Sequence, residues 1–166
     1  MYWEDLVKEL DALLHENQYF YLSAAPHLFI PDYYLDKAIK TGLLDYVFVR
    51  FYDKPACQGS LFSLWDDWTS YVLPNNTVFL GLKAAPGDCY IPPWFLIDVV
   101  LPYVKQASNY GGVMLWGRAG DVQNNYSDEI KDYVPKDALR FVTAVSDAIY
   151  EGVCAAFHHI LPNKLF

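Results

Sequence analysis

A chain of 166 residues has the length of one domain and can enclose one sizeable core. With 54% hydrophobic and 17% aromatic residues, it does not have the composition of a solvated, disordered polypeptide. Asp and Glu number 20 against 12 Lys and Arg, a formal charge of −8, which excludes a binder of nucleic-acid phosphates; no apolar run approaches the ~20 residues of a membrane span.

Met1-Tyr2-Trp3-Glu4-Asp5 has neither a basic nor an apolar leader, so no signal peptide is expected. Residues 3–15 set Leu6, Leu10, Leu13 and Leu14 at helical spacing with charges between them. Strands are expected over 19–24, 46–52, 77–82 and 111–116, each nearly continuous in apolar residues. That pattern suits parallel strands covered on both faces. Between them, 32–40, 61–71 and 93–106 have helical periodicity. Asp32 can cap the first of these helices, and Pro93 fits the first turn of the last.

Strand starts recur at roughly 30 residues, the size of a βαβ unit. The sequence therefore predicts an α/β fold with a parallel sheet, whose functional residues belong at the strand C-terminal ends if the sheet is part of a barrel. Leu22-Ser23-Ala24-Ala25-Pro26 recurs as Leu82-Lys83-Ala84-Ala85-Pro86, in both cases at the end of an expected strand. Residues 137–160 carry Phe141, Val145, Ile149, Val153, Phe157 and Ile160 on one helical stripe, an extra amphipathic helix. His158 and His159 are adjacent and point to different faces, so they form no metal pair. Cys57, Cys89 and Cys154 have no metal-binding spacing either. Asn75-Asn76-Thr77 and Asn125-Tyr126-Ser127 fit the glycosylation sequon, a pattern common by chance.

With the strands placed, five stretches resemble the plant class III chitinases of glycoside hydrolase family 18, the hevamine-like group. They are Tyr21-Leu22-Ser23-Ala24-Ala25-Pro26, Thr41 through Tyr52, Phe79 through Pro86, Tyr90-Ile91-Pro92-Pro93, and Tyr110-Gly111-Gly112-Val113-Met114-Leu115-Trp116. The resemblance covers residues 2 to about 133 and aligns with the second half of the family's (β/α)8 TIM barrel, strands five to eight. It implies a half-barrel over 1–134, followed by a helical extension over 135–166.

The resemblance also implies a chemistry. Family-18 enzymes are substrate-assisted: the sugar's acetamido oxygen attacks its own anomeric carbon while a Glu protonates the leaving oxygen. The family's Asp-x-x-Asp-x-Asp-x-Glu signature does not occur in these residues. The five glutamates, Glu4, Glu9, Glu16, Glu129 and Glu151, fall in helices or past the last strand, and no Asp-x-Asp pair occurs. What the resemblance retains is auxiliary. Tyr52 matches the tyrosine that holds the acetamido oxygen, and Trp116 the tryptophan that floors the central sugar. Arg50 and Met114 are expected beside them as substrate-binding residues. Arg50 stands where this group usually carries glutamine, and an inward-facing cation calls for a partner, a carboxylate being expected. A hidden catalytic group, if one exists, is sought first at Asp53.

In the family a disulfide joins the Cys57 position to the position held here by Leu28, so Cys57 is expected as a free thiol and all three cysteines as reduced. The implied ligand is chitin or an N-acetylglucosamine oligosaccharide, with no cofactor and no metal. An extracellular setting, a role in plant defence and a truncated, inactive endochitinase follow from the same likeness. The alternative is a non-catalytic carbohydrate-binding or glycosidase-inhibitor-like protein. Open strand edges lead to the expectation that the chain alone is not a stable monomer, and closes either as a homodimer or by laying the 137–160 helix across its exposed core.

Overall fold

The computed structural model of the chain describes residues 2–14, 21–52 and 57–135. In chain order these form α1 (Trp3–Leu14), β1 (Ser23–Ala24), α2 (Asp36–Ile39), β2 (Tyr46–Arg50), α3 (Cys57–Tyr71) and β3 (Thr77–Lys83). Then come α4 (Pro93–Phe95), a π-helical turn (Leu96–Val100), α5 (Leu101–Val104), β4 (Tyr110–Trp116), α6 (Arg118–Asn124) and α7 (Tyr126–Ile130). The four strands make one sheet in the order β1-β2-β3-β4, every pair parallel. Each helical crossover returns the chain to the strand beside the one it left, as βαβ units do. The α/β fold with a parallel sheet is the one the sequence predicts. The expected helix over 137–160, with His158, His159 and Cys154, lies outside the described residues, as does Asp53.

Side chains alternate across the sheet. Val47, Val49 and Phe51, then Val78, Leu80 and Leu82, then Val113 and Leu115 face the helices. There they meet Trp65, Trp68, Leu96, Val100, Leu101 and Val104 in the main core. Full burial of each aliphatic side chain contributes roughly 1.5–3 kcal/mol, so this layer holds the helices on the sheet. Phe48, Phe79 and Met114 point the other way and form a separate small cluster with Ala25, Tyr46 and Tyr52 against it. Among the described residues, the helices cover one face only.

Three local features depart from the simplest reading. In α1 the inward stripe is not Leu6–Leu13. Val7 is fully buried with Trp3 and Leu10 packed near it, while Leu6 is 41% and Leu13 73% exposed. Trp3, Val7 and Leu10 are themselves at i, i+4 and i+7, and their stripe carries the large indole to the core. The helix expected over 32–40 is regular only at Asp36–Ile39. Asp32 instead caps the turn before it: Oδ1 accepts the N–H groups of Tyr34 (2.9 Å) and Leu35 (2.7 Å), and Oδ2 that of His27 (2.7 Å).

In α3, Ser60 leaves helical dihedrals (φ −130°, ψ 15°), so the regular part is the stretch after it that periodicity predicts. The π turn before α5 has a chemical cause. Pro102 has no N–H and its ring crowds the carbonyl four residues back, so the ladder loosens, and Leu101 N–H bonds Leu96 O.

The strand register fixes the geometry of the site. Between β2 and β3, Phe48 faces Phe79 and Arg50 faces Gly81. Between β3 and β4, Val78 faces Tyr110 but Phe79 faces Gly112, so Gly111 is an extra, bulged residue. Only glycine fits there: a Cβ would lie 2.3 Å from Thr77 Cγ2 and 2.6 Å from Phe79 Cε2. Beyond the bulge, Gly81 faces Met114 and Lys83 faces Trp116.

Candidate functional site

On the face away from the helices, the register stacks the side chains in rows. Phe48 and Phe79 lie deep, Arg50, Gly81 and Met114 form the next row, and Tyr52, Lys83 and Trp116 lie at the C-terminal ends. All four residues named from the resemblance, Tyr52, Trp116, Arg50 and Met114, thus come to one end of one sheet face. Tyr52 and Trp116 stack, with ring centroids 5.8 Å apart and planes 15° from parallel. Trp116 is followed by a cis peptide to Gly117.

Beneath the stack, in the row of Arg50 and Met114, Gly81 presents no side chain. A Cβ at Gly81 would lie 2.4 Å from the Val49 carbonyl oxygen and 2.9 Å from Met114 Cε. Met114 fills that gap and is itself buried.

Arg50 is held by His27, whose Nε2 lies 2.7 Å from Arg50 Nη2. A guanidinium only donates, so the imidazole accepts at Nε2 and carries its proton on Nδ1. The backbone enforces the pairing: His27 and Arg50 form a parallel β-bridge, Arg50 N–H bonds Pro26 O at 3.1 Å, and Asp32 holds the His27 N–H. The His27 imidazole is thus one partner of Arg50 among the described residues.

Around the base of the sheet, Asp45 accepts the Leu22 N–H at 2.7 Å, and burial raises its pKa against that hydrogen bond. Tyr46 is pushed up to about 12, chiefly by burial and then by Tyr21 and Asp45. None of the described strands contains an Asp or Glu, and no group of His, Cys, Asp or Glu among the described residues has the arrangement of a metal site. Within the described strands, the side chains at this end supply aromatic stacking and cationic hydrogen bonding.

One expectation is overturned. Cys89 is disulfide-bonded, so the three cysteines are not all thiols; the side chains of Cys57 and Cys154 lie outside the described residues. Three positions of the site escape a reading along the chain: His27, Gly81 and Lys83. Gly81 carried the only signal, a glycine inside an apolar strand, which marks a close approach.

No family model matches the chain. The acidic endochitinase of Cucumis sativus is 46% identical over 139 residues, covering 78% of this chain and 45% of that protein. Among solved structures, a tamarind chitinase-like lectin is 42% identical with a TM-score of 0.72, over 76% of this chain and 50% of that one. A xylanase and alpha-amylase inhibitor protein from Scadoxus multiflorus is 28% identical with a TM-score of 0.74, over 79% and 51%. The chain spans about half the length of the curated relatives it matches. The fold, the motifs and these likenesses agree: the chain is a relative of the plant acidic and basic endochitinases and of chitinase-like proteins, resembling the hevamine-like group of glycoside hydrolase family 18.

Proposed function

We propose that this chain is a half-barrel, equivalent to strands five to eight of a (β/α)8 chitinase-like barrel, with a helical extension over 135–166. In this reading it binds β-1,4-linked N-acetylglucosamine oligosaccharides at the strand C-terminal ends and does not hydrolyse them unaided. The observation that carries the reading is the Tyr52–Trp116 stack at the end of the sheet. Trp116 offers an aromatic face to a pyranose, Tyr52 a hydroxyl to the acetamido group, and Arg50 and Met114 line the row beneath. Hydrolysis needs a proton donor to the leaving oxygen, and acid–base help alone is worth about 10²–10⁴ in rate. No strand carboxylate supplies one among the described residues. The reading needs neither cofactor nor metal, and an extracellular setting follows from it by likeness to the endochitinases.

The test is calorimetric titration of the full chain with chitotetraose, beside a fluorogenic chitotrioside assay. Binding that weakens at least about tenfold in Trp116→Ala (~1.4 kcal/mol), with no turnover above a heat-killed control, is expected. Turnover that Tyr52→Phe abolishes would overturn the non-catalytic part. A second reading, a glycosidase-inhibitor-like protein, is favoured by the likeness to the Scadoxus multiflorus inhibitor. Inhibition of a xylanase or an alpha-amylase that survives Trp116→Ala would select it.

A further inference from the structure

In a chain of net charge −8, the charged residues within the four described strands are Arg50 and Lys83, both cationic. Both end their strands, β2 and β3, and both alternate onto the face that carries Trp116. Lys83 is the register partner of Trp116 and lies between the strands bearing Tyr52 and Trp116. Its side chain is half-buried, and no hydrogen bond or ion pair engages it among the described residues. Its Nζ reaches over the loop that follows, close to Gly87. Arg50 is one row deeper, its fork oriented by the 2.7 Å contact to His27.

A neutral N-acetylglucosamine residue offers hydroxyls and an amide, neither of which requires a full charge opposite it. A ring bearing an acid group gains charge-assisted hydrogen bonds to an ammonium or guanidinium, about twice as strong as neutral ones. By register, Lys83 stands beside Trp116 and Arg50 one row beneath it.

We infer that the Tyr52–Trp116 site selects saccharides carrying an acidic substituent, with Lys83 as the specificity-determining cation and Arg50, positioned by His27, beneath it. This rests on the carbohydrate-binding reading above and adds the charge of the ligand to it. The substituent is a carboxylate or a sulfate, which share the negative charge and the acceptor oxygens that the two cations call for.

The experiment titrates the full chain by Trp fluorescence and calorimetry with three probes of equal length: chitotetraose, its 6-carboxylated derivative and its 6-O-sulfated derivative. At low salt at least one acidic probe is expected to bind ten or more times more tightly than chitotetraose, and the stronger of the two identifies the acid group. Lys83→Gln should cut that ratio at least fivefold, while Lys83→Arg, which keeps the charge, should preserve it. Equal affinity for all three probes overturns the inference and leaves the carbohydrate-binding reading standing. A preference that Lys83→Gln leaves intact also overturns it. Failure of every probe to bind overturns both.

Discussion

Tyr52 and Trp116 lie face to face, with centroids 5.8 Å apart, although β3 runs between the strands that bring them to the mouth. Adjacent strands are about 4.8 Å apart, so the rings of next-but-one strands meet only by leaning over the one between. In the row beneath the rings Gly81 presents no side chain, and Met114 occupies the room a Cβ there would take. That row is thus built as much from an absent side chain as from a present one.

Gly81→Ala should disturb this row. The new methyl would meet the Val49 carbonyl at 2.4 Å, and a backbone atom inside a sheet cannot swing aside as a side chain does. Overpacking of this kind costs about 1–3 kcal/mol. Urea unfolding should show that loss, and near-ultraviolet circular dichroism a changed aromatic signal. Wild-type values in both would refute the account of the row.

Asp32→Ala should cost more than an average surface change. The carboxylate is 3% exposed and accepts three backbone N–H groups, those of His27, Tyr34 and Leu35. Leaving buried donors unmet costs roughly 1–3 kcal/mol each, so a total on the order of 3 kcal/mol is expected in urea unfolding. Because the same residue anchors the His27 backbone, a hydrogen-exchange measurement should also show faster exchange at Arg50, whose N–H is bonded beside it.

Alkaline pH should unfold the protein through its tyrosines. Burial raises the pKa of Tyr110 and Tyr126 well above the ordinary 10.0 and pushes Tyr46 up to about 12. Their neutral forms are favoured in the folded state. Between the unfolded and folded values the unfolded chain holds fewer protons, so stability is full below pH 10 and falls as pH rises through the folded values. Ultraviolet titration should show a late tyrosinate fraction that appears together with loss of the folded signal. Complete titration near pH 10 with the fold intact would contradict this.

The free chain should self-associate. Among the described residues β4 pairs only with β3 and β1 only with β2, so the seven residues of β4 present an open edge. An edge of that length invites pairing with a second copy. Sedimentation velocity at micromolar concentration should find a dimer, and a monomer at every concentration would refute it.

Much of this architecture is legible along the chain because parallel strands announce themselves as short, nearly unbroken apolar runs. The stretches 46–52 and 77–82 differ from β2 and β3 by a residue or two. Leu6 and Leu13 misled for a definite reason: a helix rich in leucine has more than one plausible stripe, and contact with the core through Trp3 and Val7 decides between them. Helix α6, Arg118–Asn124, is short and mostly polar and carries no periodic signal. The residues of the site that a linear reading overlooks are cross-strand neighbours. Nothing near Lys83 in the sequence says that Trp116 stands opposite it, and nothing near His27 says that Arg50 does. Such adjacency is created by register alone.

The bulge at Gly111 has a consequence for how this mouth can change. Tyr110 and Trp116 are six residues apart, so in a regular strand they would share a face. Here Tyr110 packs edge-on against Trp65 on the helix side, while Trp116 meets Tyr52 on the other. One extra residue at the foot of β4 performs that exchange. Deleting Gly111 would turn either Tyr110 out of the core or Trp116 away from the site, because a one-residue slip inverts a whole strand. The mouth of this sheet is thus open to revision by edits of length at its far end, with every residue that lines it left unaltered.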